Sequence, residues 1–374
     1  MIDMTTVVIP AQRPTGAAFV GGGFMADVHS RAARSARAQL IGGASRTLES
    51  AQRAADAYGL GRAYASPAEL FADDAVDVVH ICTPNATHLE YALAAIDAGK
   101  NVICEKPLAT SVADAELLAE RAAAAGVTAT VPFVYRYHPM VREARARVAS
   151  GETGALLTIQ GTYLQDWLLS DADDDWRVDE ALGGPSRAFA DIGSHLCDLV
   201  EFVTGDRIVR LAATKRTIHA ERATNRDIST EDAVALVVET ASGAIGTLLV
   251  SQVAPGRKNS LTIEISGSAE SIVFDQEQPE SLWLGRRTGS GLLMREAGQL
   301  SPEAERLSVL PAGHPLGYQD AFNAFVADSY AAARGETPDG LPTFVDGVRA
   351  AQLTEAVLAA AREERWIDVT PDQV

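Results

Sequence analysis

Between residues 17 and 135, short apolar runs rich in β-branched residues alternate with longer alanine-rich stretches. The apolar runs predict buried strands at Ala17–Val20, Leu40–Gly43, Val76–Cys82, Asn101–Cys104 and Val127–Val131. The stretches between them predict helices at Met25–Ala36, Thr47–Tyr58, Thr87–Ala98 and Ser111–Ala125. Because strands alternating with helices need crossover connections, the sheet they form is parallel and covered on both faces. The pattern predicts a doubly wound α/β domain over residues 1–136.

After residue 137 the pattern changes to runs in which apolar and polar residues alternate. These runs predict strands at Ala155–Gln165, Ile208–Arg216, Ala233–Thr240, Ala244–Gln252, Leu261–Ser266, Ser271–Asp275 and Ser281–Leu284. Helices are predicted at Pro139–Ala149, Tyr318–Arg334 and Val345–Glu363, and polar loops at Asp171–Asp175, His219–Asp232 and Arg295–His314. Alternation suits antiparallel strands with one exposed face. The pattern predicts an α+β domain over residues 137–374, built on a large open, mainly antiparallel sheet, whose last helix can pack back on the first domain.

Charge and cysteine content narrow the function. The chain has 32 basic and 50 acidic side chains, a formal charge of −18, which repels phosphates and argues against nucleic acid and anionic membrane surfaces. No apolar run is long enough to cross a bilayer, and Met1–Phe19 lacks the basic segment of a signal peptide. Cys82, Cys104 and Cys197 show no C-x-x-C spacing and sit among apolar neighbours. We expect a cytoplasmic protein with no membrane or nucleic-acid partner.

A glycine-rich turn follows the first predicted strand and opens the first helix. The run Gly21-Gly22-Gly23-Phe24-Met25-Ala26 fits G-x-G-x-x-A. In that pattern the first glycine permits the tight turn, the second lets the backbone approach a pyrophosphate, and the alanine permits close helix packing. The unpaired N–H groups at the helix start then attract the phosphates. A flexible turn is the simpler alternative, but the strand before and the helix after favour a Rossmann dinucleotide site.

The choice of cofactor depends on the end of the second strand. An NAD site usually places Asp or Glu there, on the ribose 2′-hydroxyl. This chain has Ser45 and Arg46 instead, and a hydroxyl beside a guanidinium suits a 2′-phosphate. The sequence therefore favours NADP over NAD. In the alternative, Ser45 is only the N-cap of the next helix and Arg46 is solvated, which leaves NAD or dual use open.

Three further segments carry chemistry: Cys82-Thr83-Pro84-Asn85-Ala86-Thr87-His88, Cys104-Glu105-Lys106-Pro107-Leu108 and Asp191-Ile192-Gly193-Ser194-His195-Leu196-Cys197-Asp198. Together with the glycine turn they resemble the glucose–fructose oxidoreductase, inositol dehydrogenase and rhizopine-catabolism family (Gfo/Idh/MocA). The resemblance runs from Gly16 to Trp366. It implies a nicotinamide cofactor between a Rossmann domain and an open-sheet domain, and hydride transfer at a secondary hydroxyl or ketone of a sugar, sugar derivative or cyclitol. It also implies homodimers or homotetramers formed through the open sheet.

The same resemblance assigns roles to particular residues. Ligands of α/β sheets bind at the carboxyl ends of strands, so we expect cofactor contacts from Thr83, Pro84, Asn85, His88, Glu105 and Lys106. Lys106 matches the family's catalytic lysine, and Asp191 and His195 match its acid and histidine. A histidine suits the base for the hydroxyl proton, while an ammonium stabilises the developing alkoxide. In the alternative, Lys106 is an ordinary surface lysine paired with Glu105. These residues lack the spacing of a metal site, so no metal is expected.

Substrate contacts are expected from two places in the chain. Tyr135 and Arg136 follow Val134, where many relatives carry Asn; an interdomain ion pair is the alternative for Arg136. Gly161-Thr162-Tyr163-Leu164-Gln165-Asp166-Trp167 resembles a run in sugar dehydrogenases of the family, and alternation points Gln165 and Trp167 to one side. Trp176 and Arg177 are expected to form a cleft wall. Arg187 suits either an anionic substrate or a salt bridge to a nearby Asp.

The sequence favours an NAD(P)-dependent dehydrogenase. Two other functions remain open at this point. One is redox-assisted glycoside cleavage or epimerisation, in which the cofactor stays bound and shows no net reduction. The other is a regulatory protein that binds nicotinamide cofactor without catalysis.

Overall fold

A computed structural model of the protein describes residues 13–369. Residues 1–12, which include most of the segment considered as a signal peptide, lie outside the described range, as do residues 370–374. Two sheets organise the chain, one of five strands and one of nine. Within the described range, no helix has the length and apolar character needed to cross a membrane.

The first sheet is parallel, with strand order β2-β1-β3-β4-β5. Its strands are β1 (Gly16–Val20), β2 (Gln39–Ala44), β3 (Val78–Ile81), β4 (Asn101–Cys104) and β5 (Ala129–Thr130). Its helices are α1 (Phe24–Ser35), α2 (Leu48–Tyr58), α3 (Pro67–Phe71), α4 (His88–Asp97) and α5 (Val112–Ala125). Every residue of β1 and β3 is buried, as expected for strands covered on both faces.

Two details of the first domain differ from the sequence prediction. The strand predicted at Val127–Val131 is only two residues long, because the Val131 N–H bonds to the Pro342 carbonyl instead of extending the sheet. Helix α3 was not predicted; Ser66 caps it and Pro67 occupies its first turn, so short helix-start signals form a five-residue helix here.

The second sheet has strand order β13-β12-β11-β10-β6-β9-β8-β7-β14 and is antiparallel except between β6 and β9. Its strands are β6 (Leu156–Leu164), β7 (Ile208–Arg216), β8 (Ala233–Thr240), β9 (Ile245–Ser251), β10 (Ser260–Gly267), β11 (Ser271–Asp275), β12 (Ser281–Gly285), β13 (Gly291–Met294) and β14 (Ile367–Asp368). The associated helices are α6 (Pro139–Ala149), α7 (Glu180–Gly183), α8 (Ser194–Thr204), α9 (Pro302–Leu307), α10 (Tyr318–Ala333) and α11 (Phe344–Glu363). The predicted fold class is confirmed.

One face of this sheet is packed and the other is open. Alternate residues of β8 and β9, such as Leu236 and Leu248, are buried in the core under α6, α8 and α11. Their neighbours Val237, Ile245 and Leu249 are exposed on the opposite face. Antiparallel sheets with one solvated face show this alternation.

The last helices join the two sheets. Helix α10 packs on α1, and α11 packs on both α5 and β7. The segment Arg295–His314, predicted as a loop, contains helix α9, because Pro302 occupies the helix start and Ala304 and Leu307 find a buried environment. The polar composition of the segment gave no indication of this short helix.

Candidate active site

Hydrogen bonds within the protein hold the glycine turn in shape. Gly21 has φ +108°, and a side chain there would bring its Cβ within 2.5 Å of the Cys82 carbonyl oxygen, so only glycine fits. The Tyr58 hydroxyl donates to the carbonyl oxygens of Gly22 and Gly23, at 3.0 and 3.2 Å. A Cβ on Gly23 would meet nothing within 4 Å, and no side chain caps α1. The turn therefore presents open backbone N–H groups, as a pyrophosphate requires.

Exposed apolar side chains lie beside this turn. Phe24 and Leu48 begin α1 and α2 at the carboxyl edge of the sheet and are 73% and 52% exposed. Met25 is half-buried. Apolar surface combined with helix N-termini at a strand-end edge fits a dinucleotide.

The structure decides one alternative at the cofactor's ribose end. The N-cap of α2 is Thr47, whose hydroxyl oxygen accepts the Ser50 N–H at 3.1 Å, so the alternative in which Ser45 caps the helix is wrong. Ser45 lies beneath the glycine turn: a Cβ on Gly22 would be 2.9 Å from its Oγ. Arg46 is exposed. Neither residue is used to build the helix start.

Lys106 and Asp191 meet across the two halves of the chain. The Lys106 Nζ donates to Asp191 Oδ1 at 2.6 Å and to the Asp191 main-chain oxygen at 2.9 Å. Lys106 follows β4 of the first sheet, and Asp191 lies in a π-helical turn, Phe189–Gly193, that leads into α8. Such turns are frequent at functional sites because they redirect a side chain from the regular helix.

Cations and an amide surround the Asp191 carboxylate. Gln252 Nε2 donates to its Oδ2 at 2.7 Å, and Arg177 Nε lies 3.7 Å from its Oδ1. Burial alone would raise the pKa of Asp191, but the charges of Lys106 and then Arg177 outweigh burial and lower the pKa well below its usual range. Asp191 is therefore a permanent carboxylate at neutral pH.

His195 sits on the first turn of α8 and is kept neutral. Burial first, and then the charge of Lys106, lower the pKa of His195 to about 3, against an opposing effect of Asp191. The ring packs edge-on against Phe133 and Tyr135, with centroids 5.6 and 5.1 Å apart. Its buried Nδ1 has no hydrogen-bond partner among the described residues. A neutral imidazole at neutral pH is able to accept a proton.

The loops after β3 and β4 are joined behind Lys106. His88 is fully buried, with Nδ1 2.8 Å from the Pro107 oxygen and Nε2 2.9 Å from the Thr83 oxygen. The structure thus places His88, expected at the cofactor, as a clamp between these loops. Next to it, the partly exposed Pro84 precedes Asn85, whose side-chain amide donates to the Gly183 oxygen across the domains at 2.8 Å.

Glu105 is buried beside Lys106 and supported by histidine. Its Oε1 lies 2.9 Å from His29 Nε2, and its Oε2 accepts the Lys106 backbone N–H at 3.1 Å. Burial would raise the pKa of Glu105, but the His29 hydrogen bond and the charges of His29 and Lys106 outweigh it and lower the pKa. His29 in turn contacts His80, Nδ1 to Nδ1, at 2.8 Å.

A hydrogen-bonded group of amides and phenols forms the opposite wall. Trp167 Nε1 donates to Gln165 Oε1 at 2.8 Å, and Gln165 Nε2 donates to Asn259 Oδ1 at 2.9 Å. Asn259 Nδ2 donates to the Tyr135 hydroxyl at 3.0 Å, and the Tyr163 hydroxyl donates to Asn259 Oδ1 at 2.8 Å. This wall offers an amide and an indole side by side, a combination that suits the hydroxyls and C–H face of a sugar.

Arg177 completes that wall by lying over the Trp176 ring, with its guanidinium carbon 4.5 Å from the centroid, while Asp175 accepts from its Nη1 at 3.0 Å.

Two arginines weighed as substrate contacts are engaged elsewhere. The Arg136 guanidinium is buried between Asp198 and Asp346, which accept its N–H groups. Arg187 is buried against Asp232 and donates to Gln252. Both take the ion-pair alternative, because a buried guanidinium needs carboxylates to offset its desolvation.

Sequence reasoning missed Gln252, Asn259 and Tyr318. The first two lie at and beyond the end of β9, where no motif marked them. Tyr318 begins α10 and packs on Tyr135, with ring centroids 6.3 Å apart. Burial, and then the charge of Glu105, raise the pKa of the Tyr318 phenol well above its usual value, so it stays neutral beside the cleft. The only sequence signal for Tyr318 was its place directly after Gly317, the N-cap of α10.

Comparison with known proteins identifies the chain's relatives. A model described as an oxidoreductase family with an NAD-binding Rossmann fold matches residues 15–133, and the GFO/IDH/MocA C-terminal domain matches residues 141–273. The chain belongs to the GFO/IDH/MocA family. The resemblance seen in the sequence is confirmed, and with it an oxidoreductase carrying an NAD-binding Rossmann domain.

Within the GFO/IDH/MocA family, the chain is 29% identical to levoglucosan dehydrogenase of Pseudarthrobacter phenanthrenivorans, over 94% of this chain and 97% of that one. A solved levoglucosan dehydrogenase with NADH and levoglucosan matches with TM-score 0.89 and 28% identity, covering 96% and 100% of the two chains. An inositol dehydrogenase homolog from Azotobacter vinelandii, with NADH and myo-inositol, gives TM-score 0.84 at 28% identity, covering 95% and 98%. An NADP(+) D-xylose 1-dehydrogenase of Haloferax volcanii is 34% identical over 54% of this chain and 58% of its own length.

Proposed function

We propose that this chain is an NAD(P)-dependent dehydrogenase acting on a secondary hydroxyl or ketone of a sugar, sugar derivative or cyclitol. The observation that carries the proposal is the contact of Lys106 with Asp191, at 2.6 Å, beside a neutral buried His195. Relatives that bind NADH together with levoglucosan or myo-inositol support the substrate class. In this proposal residues 1–136 hold the nucleotide and residues 137–374 hold the substrate.

The residues divide the chemistry between them. A bound nicotinamide cofactor would supply hydride transfer to or from the carbon that carries the reacting oxygen. His195 takes the hydroxyl proton, for which a neutral imidazole is needed. Lys106 stabilises negative charge on the same oxygen, and Asp191 holds Lys106 in place. Gln165, Trp167, Trp176 and Arg177 orient the remaining hydroxyls.

The cofactor is held at the glycine turn. Gly21 and Gly23 shape the backbone, Phe24 and Met25 supply N–H groups at the start of α1, and Thr83 to Asn85 line the neighbouring strand end. We infer a preference for NADP, supported by the position of Ser45 beneath the turn and by the exposed Arg46 with no acidic residue in its place. The Arg46→Ala variant is expected to weaken NADP far more than NAD in fluorescence titration, and equal weakening of both would reject the preference.

Assembly is proposed through the open sheet face. Val237, Ile245 and Leu249 form exposed apolar surface on β8 and β9, a feature typical of interaction sites. A second copy of the chain covers this face. Sedimentation should show a dimer or tetramer that Leu249→Glu dissociates, while Val309→Glu, an equally polar change at an exposed loop residue, leaves it intact. A monomeric wild type would contradict the proposal.

A cytoplasmic location is proposed from the cysteines. Cys82, Cys104 and Cys197 are free thiols, and two of them are buried. Thiols kept reduced suit a reducing compartment.

The deciding experiment is a screen of sugars and cyclitols with NAD and NADP, read by absorbance of the reduced nicotinamide. We expect net reduction with at least one sugar or cyclitol, and a loss of turnover of at least about 10²-fold in His195→Asn. Substrate conversion without net reduction would instead support a retained cofactor and cleavage or epimerisation. Cofactor binding with no conversion of any compound would support a regulatory role.

A further inference from the structure

Gln252 is a buried amide whose backbone is fixed on both sides. It follows β9, is fully buried, and its N–H donates to the Asp232 oxygen at 3.0 Å. Its own carbonyl oxygen accepts the Leu168 N–H at 3.3 Å. The side chain therefore starts from a rigid position between the sheet and the loop that follows β6.

Arg187 determines which way the amide points. Its Nη1 donates to Gln252 Oε1 at 3.0 Å, and a guanidinium has no acceptor, so the amide oxygen must face Arg187. The amide nitrogen then faces Asp191 Oδ2 at 2.7 Å. Arg187 is itself held by Asp232, whose Oδ1 also accepts from Arg222 at 2.7 Å.

The same amide connects both sides of the cleft. Gln252 Nε2 lies 3.3 Å from Gln165 Oε1, the atom that also accepts the Trp167 indole N–H. Because the Trp167 nitrogen can only donate, the orientation of Gln165 agrees with the orientation that Arg187 imposes on Gln252. The acid that holds Lys106 and the expected sugar wall are thus aligned by one side chain.

We propose that Gln252 is a positioning residue that fixes the Asp191 carboxylate, so that its other oxygen holds the Lys106 ammonium at the reacting hydroxyl. This role rests on the proposed dehydrogenase function. The two oxygens of Asp191 have separate tasks: Oδ2 is held by the sheet half and Oδ1 holds the nucleotide half.

The first test removes the donor while keeping the volume. Gln252→Met should lower kcat by about 10- to 100-fold, the usual effect of removing a residue that supports a reacting group. The KM for the cofactor should stay unchanged, because Gln252 lies on the sheet side. Gln278→Met, the same change at an exposed residue, is the control and should retain full kcat.

The second test separates positioning from general damage by its pH dependence. Asp191 faces Lys106, Arg177 and His195, and faces Arg187 through Gln252. In Gln252→Glu, a proton shared by Glu and Asp replaces the missing donor at low pH and is lost as the pH rises. The ratio of wild-type to variant kcat should therefore increase between about pH 5 and pH 9. A merely structural defect gives a constant ratio.

A crystal structure of Gln252→Met supplies a readout that needs no turnover. We expect the Asp191 carboxylate to rotate and its Oδ1 to leave hydrogen-bond distance of Lys106 Nζ. Full kcat in Gln252→Met, or an unchanged Asp191 with a constant pH ratio, would overturn the proposal. If wild type converts no sugar or cyclitol, the proposed function fails, while the crystal result still decides the role of Gln252.

Discussion

The two halves of the molecule support Lys106 and Asp191 with different kinds of buried hydrogen-bond network. Behind Lys106, the nucleotide half uses groups that titrate, Glu105, His29 and His80, and this network ends at Tyr330 of helix α10. Behind Asp191, the sheet half uses an amide and strongly charged groups: Gln252, Arg187, Asp232 and Arg222. Both networks are buried, so each must satisfy its own hydrogen-bond donors and acceptors.

Proton positions in the two networks are set by different means. In the sheet half, Arg187 can only donate. The direction of each hydrogen bond from Arg187 through Gln252 to Asp191 is therefore fixed. In the nucleotide half, the ionised Glu105 must accept from His29 Nε2. The direction of the hydrogen bond between His29 Nδ1 and His80 Nδ1, and of the 2.7 Å bond between His80 Nε2 and the Tyr330 hydroxyl, depends on which nitrogens of the two rings carry protons. At neutral pH, the support behind Lys106 therefore depends on how many protons its groups carry, and the support behind Asp191 does not.

The largest effect is expected where the two networks meet, at the contact of Lys106 with Asp191. Lys106→Met and Asp191→Asn should each reduce kcat by about 10²- to 10⁴-fold, because the first removes the charge proposed to stabilise the reacting oxygen and the second removes the carboxylate that holds Lys106. The exposed Lys215→Met is the matched control and should keep wild-type kcat. Steady-state kinetics on the best substrate from the screen measures all three. Turnover near wild type in either variant would separate the Lys106–Asp191 contact from the chemistry.

Next in size is the loss of charge balance in the sheet half. Asp232→Asn leaves Arg187 and Arg222 without their shared carboxylate, so we expect a decrease of about 3–5 kcal/mol in the free energy of unfolding. The control, Asp97→Asn, breaks an exposed pair with Arg121 and should cost about 0–1 kcal/mol. Urea unfolding measures both. Equal, small losses would show that the buried charges add nothing over a surface pair.

A smaller loss of stability is expected at the far end of the network behind Lys106. Tyr330→Phe removes the hydroxyl that hydrogen-bonds to His80 Nε2 and leaves a buried nitrogen unpaired, at a cost of about 1–3 kcal/mol in the same unfolding assay. Tyr91→Phe, at a partly exposed position on α4, is the control and should be close to neutral. An unchanged midpoint in Tyr330→Phe would mean that His80 does not need this hydrogen bond.

The smallest effect tests the proton count directly. Burial, and then His29, lower the pKa of His80 well below its usual value, so the native state binds fewer protons than the unfolded state. Stability is therefore complete above about pH 6.5 and declines as the pH falls, by up to about 1.4 kcal/mol per pH unit for this residue. His80→Gln should flatten this part of the stability profile. A wild-type profile that is flat from pH 6.5 to pH 5, by the same unfolding assay, would contradict a neutral His80.

Local sequence patterns were enough to predict much of the fold and to single out three candidate site residues. Alternation of strand and helix predicted the first sheet. Short motifs singled out Lys106, Asp191 and His195, which the structure brings together and whose catalytic roles stay predictions. The β13 and β14 edge strands were missed, since each is short and defined only by its partner.

Residues whose role depends on distant partners could not be assigned from the sequence. Arg136 and Arg187 are both cations in promising segments, but Asp346 and Asp232 decide their roles from far along the chain. Gln252 and Asn259 belong to no local motif, and they matter because the sheet brings them to Asp191 and Tyr135.

The hydroxyl of Tyr58 has a consequence for how tightly a nucleotide can be held. By holding the carbonyls of Gly22 and Gly23 from behind, it keeps the phosphate-binding loop in its working shape before any encounter. A loop organised in advance has little motion left to lose when it is occupied, so affinity is not spent on ordering it.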